Sequence, residues 1–149
     1  FRSHLSGTST VASMVQFREG RPDKSNYRRF RIRTVEHIDD FKAIGEVVRR
    51  RYRRLRNENQ YMPNLIIIDG GKGQLSSAIK ELKLLDINIP IISIAKKEEE
   101  IYFPGSRFPM KISKKDPALQ YVQEIRDEAH RFAIKYNRLL RKKSLTEGK

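Results

Sequence analysis

At 149 residues, with 32 lysines and arginines against 18 aspartates and glutamates, the chain is long enough for one compact domain and carries a formal charge of +14. That balance favours a polyanionic partner, while 38% apolar residues in ordered patterns exclude a histone-like basic tail. Cysteine is absent, which excludes disulfides and zinc–thiolate centres, and no apolar run approaches the ~18–20 residues of a bilayer span.

Residues 8–18 and 26–35 read as two strands joined by the Glu19-Gly20-Arg21-Pro22-Asp23 turn. Val11, Val15 and Phe17 share a face of the first. In the second, Phe30 and Ile32 alternate with Arg29, Arg31 and Arg33, giving one apolar and one basic face. Asp39 or Asp40 then caps a helix over 41–57, in which Phe41, Ile44, Val48, Tyr52 and Leu55 recur at helical spacing. Leu65–Ile68 is a continuous apolar run behind Pro63, read as a buried strand that ends at Asp69. A helix over 74–85 and a strand over 90–95 follow. Residues 96–110 read as a loop with a short hairpin around 100–103. Asp116-Pro117 pairs an N-cap with proline at the first helical position, opening a long helix to about Leu140. The domain therefore spans 1–140, and 141–149 is expected to fray as a basic tail. No internal repeat is present. Two uninterrupted apolar strands among helices suggest an α/β fold, a mixed sheet covered on both faces. The chain begins at Phe1 rather than Met and shows no signal-peptide pattern, which suggests a piece of a longer, cytoplasmic protein with no membrane span.

Chemistry concentrates in Asp69-Gly-Gly-Lys72-Gly-Gln74. Open sheets place ligands at the carboxyl ends of their strands, where Asp69 would sit. Asp-Gly-Gly is also ordinary turn chemistry, and Lys72 could hold a phosphate or only a surface position, composition alone favouring the surface. The segment is not a P-loop, because it lacks the spacing and the hydroxyl after the lysine. With His4, His37 and His130 the only histidines, a metal site must lean on carboxylates, which suits Mg²⁺ or Mn²⁺. His130 falls on the flank of the last helix's apolar face, a position open to a general base, a metal ligand or a plain boundary histidine. One of Asp39 and Asp40 is spare once the cap is filled. Six arginines stand between positions 49 and 56, surrounding the apolar stripe, so two or three reach phosphates at most and the rest are solvated surface.

Several segments resemble, in order and over nearly the whole chain, the C-terminal nuclease domain of UvrC, the incising subunit of the bacterial nucleotide-excision repair endonuclease. They are Ser3-His4, Val11-Ala12-Ser13, Tyr27-Arg28-Arg29-Phe30, Asp39-Asp40-Phe41, Val48-Arg49-Arg50-Arg51-Tyr52, residues 63–74, Ala95-Lys96 and residues 125–133. The resemblance implies a ribonuclease-H-like fold and a metal-dependent incision on the 5′ side of a lesion in duplex DNA. It also implies partnership with UvrB and the UvrA-dependent complex through regions outside this sequence. By position, Asp69 matches a catalytic metal-binding aspartate, His130 the site histidine, and Asp40 a further acidic position. The contacts with DNA would fall to Lys72, Arg29, Arg31, Arg49, Arg50, Lys96 and Arg126. One departure matters: the family reads Phe-Asp-x-Ser-His where this chain reads Phe1-Arg2-Ser3-His4, so the first catalytic aspartate is missing. The alternative reading is therefore a basic DNA-binding module that keeps a nuclease-like fold without cutting.

Overall fold

The computed structural model describes residues 1–6, 9–33, 40–95 and 100–147. In chain order the elements are β1 (Arg2–Ser6), β2 (Ser9–Met14), β3 (Phe17–Arg18), β4 (Arg21–Pro22), β5 (Arg28–Arg31) and α1 (Asp40–Asn57). They continue with β6 (Ile66–Asp69), α2 (Lys72–Leu84), β7 (Ile91–Ile94), β8 (Glu100–Tyr102), β9 (Met110–Lys111) and α3 (Pro117–Glu147).

The strands β1, β2 and β5 pair antiparallel, with β2 in the centre. In the other half β6 pairs parallel with β7, and β8 and β9 add antiparallel beyond it. Phe1 joins the halves. Its backbone nitrogen donates to the Ile67 carbonyl and its carbonyl accepts from the Asp69 N–H, both at 2.9 Å. That is the bonding of a parallel bridge, and it lays the start of β1 alongside the end of β6. The result is the mixed α/β sheet that the apolar strands predict.

Strand alternation sorts the side chains to two faces. Ala12, Met14, Ile66, Ile68 and Ile91 join one core with Ile44, Val47 and Val48 of α1 and Leu75, Ala78 and Leu82 of α2. The opposite face belongs to α3, whose Ala129 and Ala133 are buried away from that core. Arg29, opposite Ser13 in the register, places its guanidinium 3.8 Å from the Phe132 ring on α3, which fixes the side on which α3 lies.

Several boundaries differ from the sequence reading. The two long strands are each shortened: 8–18 splits into β2 and β3, and 26–35 reduces to β5. The interruption is a small β3–β4 hairpin whose two-residue loop, Glu19-Gly20, has φ of +53° and +80°. Those angles suit the right-handed strand twist, and glycine adopts them freely. The Asp23 N–H then bonds back to the Gln16 carbonyl at 2.7 Å. β1 had no boundaries from periodicity. β8 pairs with β9 across residues 103–109, a wider hairpin than the one read around 100–103. Asp116 caps α3 as predicted, accepting from the Ala118 N–H at 2.9 Å, but the helix continues to Glu147 rather than ending near Leu140. Residues 141–147 contain mainly strong helix formers and no glycine or proline to stop it.

α1 and α2 cross closely at Gly45, where an added Cβ would lie 2.9 Å from the Ser77 Oγ. That hydroxyl is tied to the Phe41 carbonyl at 2.5 Å and cannot easily yield. Gly45→Ala should therefore lose about 1–3 kcal/mol through overpacking, against the roughly 1 kcal/mol that alanine gains in helix propensity. Thermal melting reads the sign, and Gly45→Ala combined with Ser77→Ala should recover part of the loss. A melting temperature raised by Gly45→Ala alone would show that the crossing is not tight.

Candidate functional site

Asp69 closes β6 because Gly70 and Gly71 turn the chain directly into α2. A Cβ at Gly70 would stand 2.9 Å from the Gln74 Cγ, so the turn needs glycine there. The Gly71 N–H donates to the Gln74 Oε1 at 3.0 Å, satisfying one of the open donors at the start of α2. Since Ile66 and Ile68 face α1 and α2, alternation sends Asp69 to the α3 face. The register sets four polar residues in one row across the sheet. Arg29 lies opposite Ser13 and Ser13 opposite Arg2, while the Phe1 bridge brings Arg2 beside Asp69.

The centre of this row is an ion pair. Arg2 Nη1 donates to Asp69 Oδ2 at 2.6 Å, with the two side chains 18% and 5% exposed. The contact uses one oxygen and one nitrogen, not the two-pronged geometry open to an arginine and a carboxylate. Asp69 Oδ1, Arg2 Nε and Ser13 Oγ are all buried without a hydrogen-bond partner. Each such atom costs about 1–3 kcal/mol relative to a satisfied one. The row therefore holds its charge at an energetic loss, as functional sites often do.

Magnesium and manganese ions seek several oxygen ligands, usually including more than one carboxylate. Among the described residues no group of three or more His, Cys, Asp or Glu side chains could hold a metal ion. Among the described residues, the carboxylate at this rim, Asp69, already carries a guanidinium. As they stand, the described side chains do not fit a divalent cation.

α3 is held over the row by a second cluster. The Tyr27 hydroxyl donates to Glu128 Oε2 at 2.6 Å, and Arg131 donates to both oxygens of Glu128 at 2.5 and 2.8 Å. The Arg131 hydrogen bond is the main cause of a Glu128 carboxyl depressed to about 2; burial pushes the Tyr27 hydroxyl up. The Tyr27 and Phe132 rings meet edge to face at 5.0 Å, and Arg29 stacks on Phe132 and donates to its carbonyl at 3.3 Å. His130 is exposed, in a shallow groove of α3 beside Asp127, Ile134 and Arg138. Asp69 and α3 thus share a face of the sheet, yet among the described residues no hydrogen bond or ion pair joins His130 to Asp69.

The basic residues divide into engaged and available. Arg29 is stacked under α3. Arg49 pairs with Glu81 at 3.6 Å, Arg50 pairs with Glu46 at 3.0 Å and donates to the Arg31 carbonyl, and Arg56 donates to the Leu85 carbonyl. Arg51 is buried. Arg49, Arg50 and Arg56 are thus tied to α2, β5 or the turn after α2, a correction for those three, while Arg53 and Arg54 stay on the exposed surface as read, Arg54 pairing with Glu58 at 2.9 Å. Glu46 is one helical turn from Arg50, but Glu81 and the Arg31 and Leu85 carbonyls lie far off in sequence, where local pattern gives no sign of them. Arg31 and Lys72 are exposed, Lys72 making only a 3.4 Å contact with the Arg107 carbonyl, and Arg126 stands 3.8 Å from Asp127. Asp40 is the first residue of α1; its side chain, like Lys96, lies outside the described residues. Sequence reasoning gave no role to Arg2, Ser13, Tyr27 or Glu128. The last three lie within the segments that carry the family resemblance, and Arg2 marks the departure from it.

A mixed sheet with helices on both faces and an acidic residue at the rim of its central parallel strand defines a ribonuclease-H-like α/β domain. Residues 2–134 match the model of the UvrC RNase H endonuclease domain, and the chain belongs to that family. It is 70% identical over 143 residues to the UvrABC system protein C of Methanosarcina acetivorans, covering 96% of this chain and 28% of that protein. It is 68% identical to that of Methanococcus maripaludis (96% of this chain, 27% of that protein) and 51% to that of Flavobacterium psychrophilum (95% and 24%). The chain thus spans about a quarter of the length of the curated relatives it matches. Among the described residues no helix is long and apolar enough to cross a membrane.

The Glu128 cluster has a pH signature. Its carboxyl is depressed from 4.5 to about 2 in the folded chain, so its stabilisation is full above about 4.5 and lost as pH falls towards 2. Urea unfolding at pH 7 should show Glu128→Gln less stable than wild type, and the gap should close between pH 4.5 and 2. Tyr27→Phe should cost about 1.5 kcal/mol at pH 7, the low end for a hydrogen bond to a charged group. A gap that persists unchanged at pH 2 would exclude the carboxylate as its source.

Proposed function

We propose that the chain acts on DNA as the incision domain of a UvrC-type protein in nucleotide excision repair, hydrolysing one phosphodiester on the 5′ side of a lesion. One observation carries this reading: a buried carboxylate, Asp69, ends the central parallel strand and leads into Gly-Gly-Lys, inside the span that matches the endonuclease family. Water would attack phosphorus in line with the departing 3′ oxygen, leaving a 3′-hydroxyl. Lys72 and Arg31 would hold backbone phosphates, and both are free to do so. His130, exposed on the helix that covers the Asp69 face, would accept the proton of the attacking water. Damage recognition would come from UvrB and the UvrA-dependent complex, through segments of the longer relatives that this domain does not span.

The Arg2–Asp69 pair favours a second reading, in which the domain binds DNA without cutting. A lesion-bearing duplex incubated with UvrA, UvrB and the protein carrying this domain separates the two. Incision requires a nick on the 5′ side that falls about 10²-fold or more in His130→Ala and is lost in Asp69→Asn with binding retained. Binding without a nick in the wild type supports the second reading. Cutting unchanged by both substitutions overturns the assigned site.

The basic surface gives a further measurement. On duplex DNA, log K against log salt should be steep, and Arg31→Ala and Lys72→Ala should each flatten its slope by about 1. Arg29→Ala and Arg50→Ala should leave the slope alone and lower the melting temperature, since both side chains are spent within the protein. The reverse pattern would place the interface on the other set of arginines.

A further inference from the structure

The disagreement between the residues at Asp69 and the ion that the family resemblance implies has its own content. We propose that Arg2 is a tethered cation, its guanidinium occupying at Asp69 the position a divalent metal ion would need. The inference rests on Asp69 as the centre of the proposed site, but not on whether the chain cuts DNA.

The placement of Arg2 is fixed by backbone. The Phe1 bridge to Ile67 and Asp69 sets β1 against β6, and Arg2, the next residue, comes out on the same face as Asp69. Its Nη1 lies 2.6 Å from Asp69 Oδ2, with the carboxylate 5% exposed, so a metal ion reaching that oxygen would have to displace the guanidinium. The rest of the row gives the ion nothing in exchange. Ser13 offers a neutral hydroxyl, Arg29 adds a second guanidinium, and Ile94 and Ile101 lie in register beyond Asp69. At Asp69 itself one carboxylate meets one guanidinium, which leaves no net negative charge to draw a divalent cation.

A structural salt bridge would satisfy its atoms. Here Arg2 Nε, Asp69 Oδ1 and Ser13 Oγ have no hydrogen-bond partner, and the pair makes one contact where two are available. The guanidinium fits the cavity by charge and not by hydrogen-bond geometry, as a substitute for an ion would. The unused Asp69 Oδ1 is the oxygen that a ligand-binding carboxylate would present.

Titration of the 149-residue chain with MnCl₂, with free Mn²⁺ followed by electron paramagnetic resonance and no DNA present, tests this directly. Wild type should show no saturable site. Arg2→Asp, which sets a second carboxylate beside Asp69, should bind Mn²⁺ at least about tenfold more tightly, since affinity rises with the number of charged oxygen ligands. Adding Asp69→Asn to Arg2→Asp should erase the gain. Circular dichroism melting shows whether each variant folds. If Arg2→Asp does not, Arg2→Gln, which removes the charge and keeps the bulk, decides by the same criterion, with tighter binding than wild type required. Equal Mn²⁺ affinity in the wild type and the folded variants overturns the proposal, as does a gain that survives Asp69→Asn. Because the readout is metal binding without DNA, its failure is separate from a failure of DNA binding or incision.

Discussion

Two backbone hydrogen bonds at Phe1 decide how the molecule is assembled. Without them the antiparallel strands β1, β2 and β5 and the parallel pair β6 and β7 would be separate sheets, each with an unpaired edge. With them the start of β1 lies beside the end of β6, and the register of Phe1 and Arg2 against Ile68 and Asp69 is set. Register determines which face every side chain takes, so a slip of one residue would send Arg2 into the apolar core and Phe1 out to α3. Phe1 instead packs edge to face on Tyr52 of α1, 5.9 Å between ring centres, which holds the strand in its register. The polar row on the opposite face follows from that constraint.

The two faces of the sheet are built differently, and the difference suits their tasks. The α1–α2 face is apolar and closely packed, with Ile44, Ile66, Ile68, Val47 and Val48 fully buried. The α3 face carries the row from Arg29 to Asp69, and α3 is held across it by aromatic, cation–π and charged contacts from Tyr27, Arg29 and Glu128. Arg2 Nε, Ser13 Oγ and Asp69 Oδ1, buried polar atoms without partners, lie on the α3 side, and another, Ser93 Oγ, lies on the apolar side. The small residues Ala129 and Ala133 of α3 are buried on the α3 side.

How far these features can be read in sequence depends on the range of the interactions that make them. The end of β6 at Asp69 was legible because a β-branched run stopping at Asp-Gly-Gly is a local signal, and so were the cores of the three helices and the Asp116 cap. The strands beside the Glu19-Gly20 turn were overextended, since alternation continued through Val15 and Gln16 although pairing stops at Met14. The arginines of α1 could not be sorted locally. Whether Arg49 or Arg56 is free depends on Glu81 and on the Leu85 carbonyl, which only the packing of α1 on α2 brings near. The same holds at the site. Asp69 could be named from its neighbours, but its partner is 67 residues away in sequence, reached only through the Phe1 bridge.

The pair at the centre of the row differs in kind from the ion it would replace. Both a guanidinium and a divalent cation neutralise a carboxylate, and both attract a phosphate. Arginine brings one delocalised charge and directional donors. A divalent ion brings two charges and open coordination positions where a bound water becomes acidic. Arg2 therefore neutralises Asp69 but offers no activated nucleophile. Any hydroxide delivered there must come from a base such as His130 or from an ion that first displaces Arg2. On the proposed reading, a single residue at the start of β1 would thus separate binding from cutting, while the sheet, its register and the helix that covers the row stay as they are.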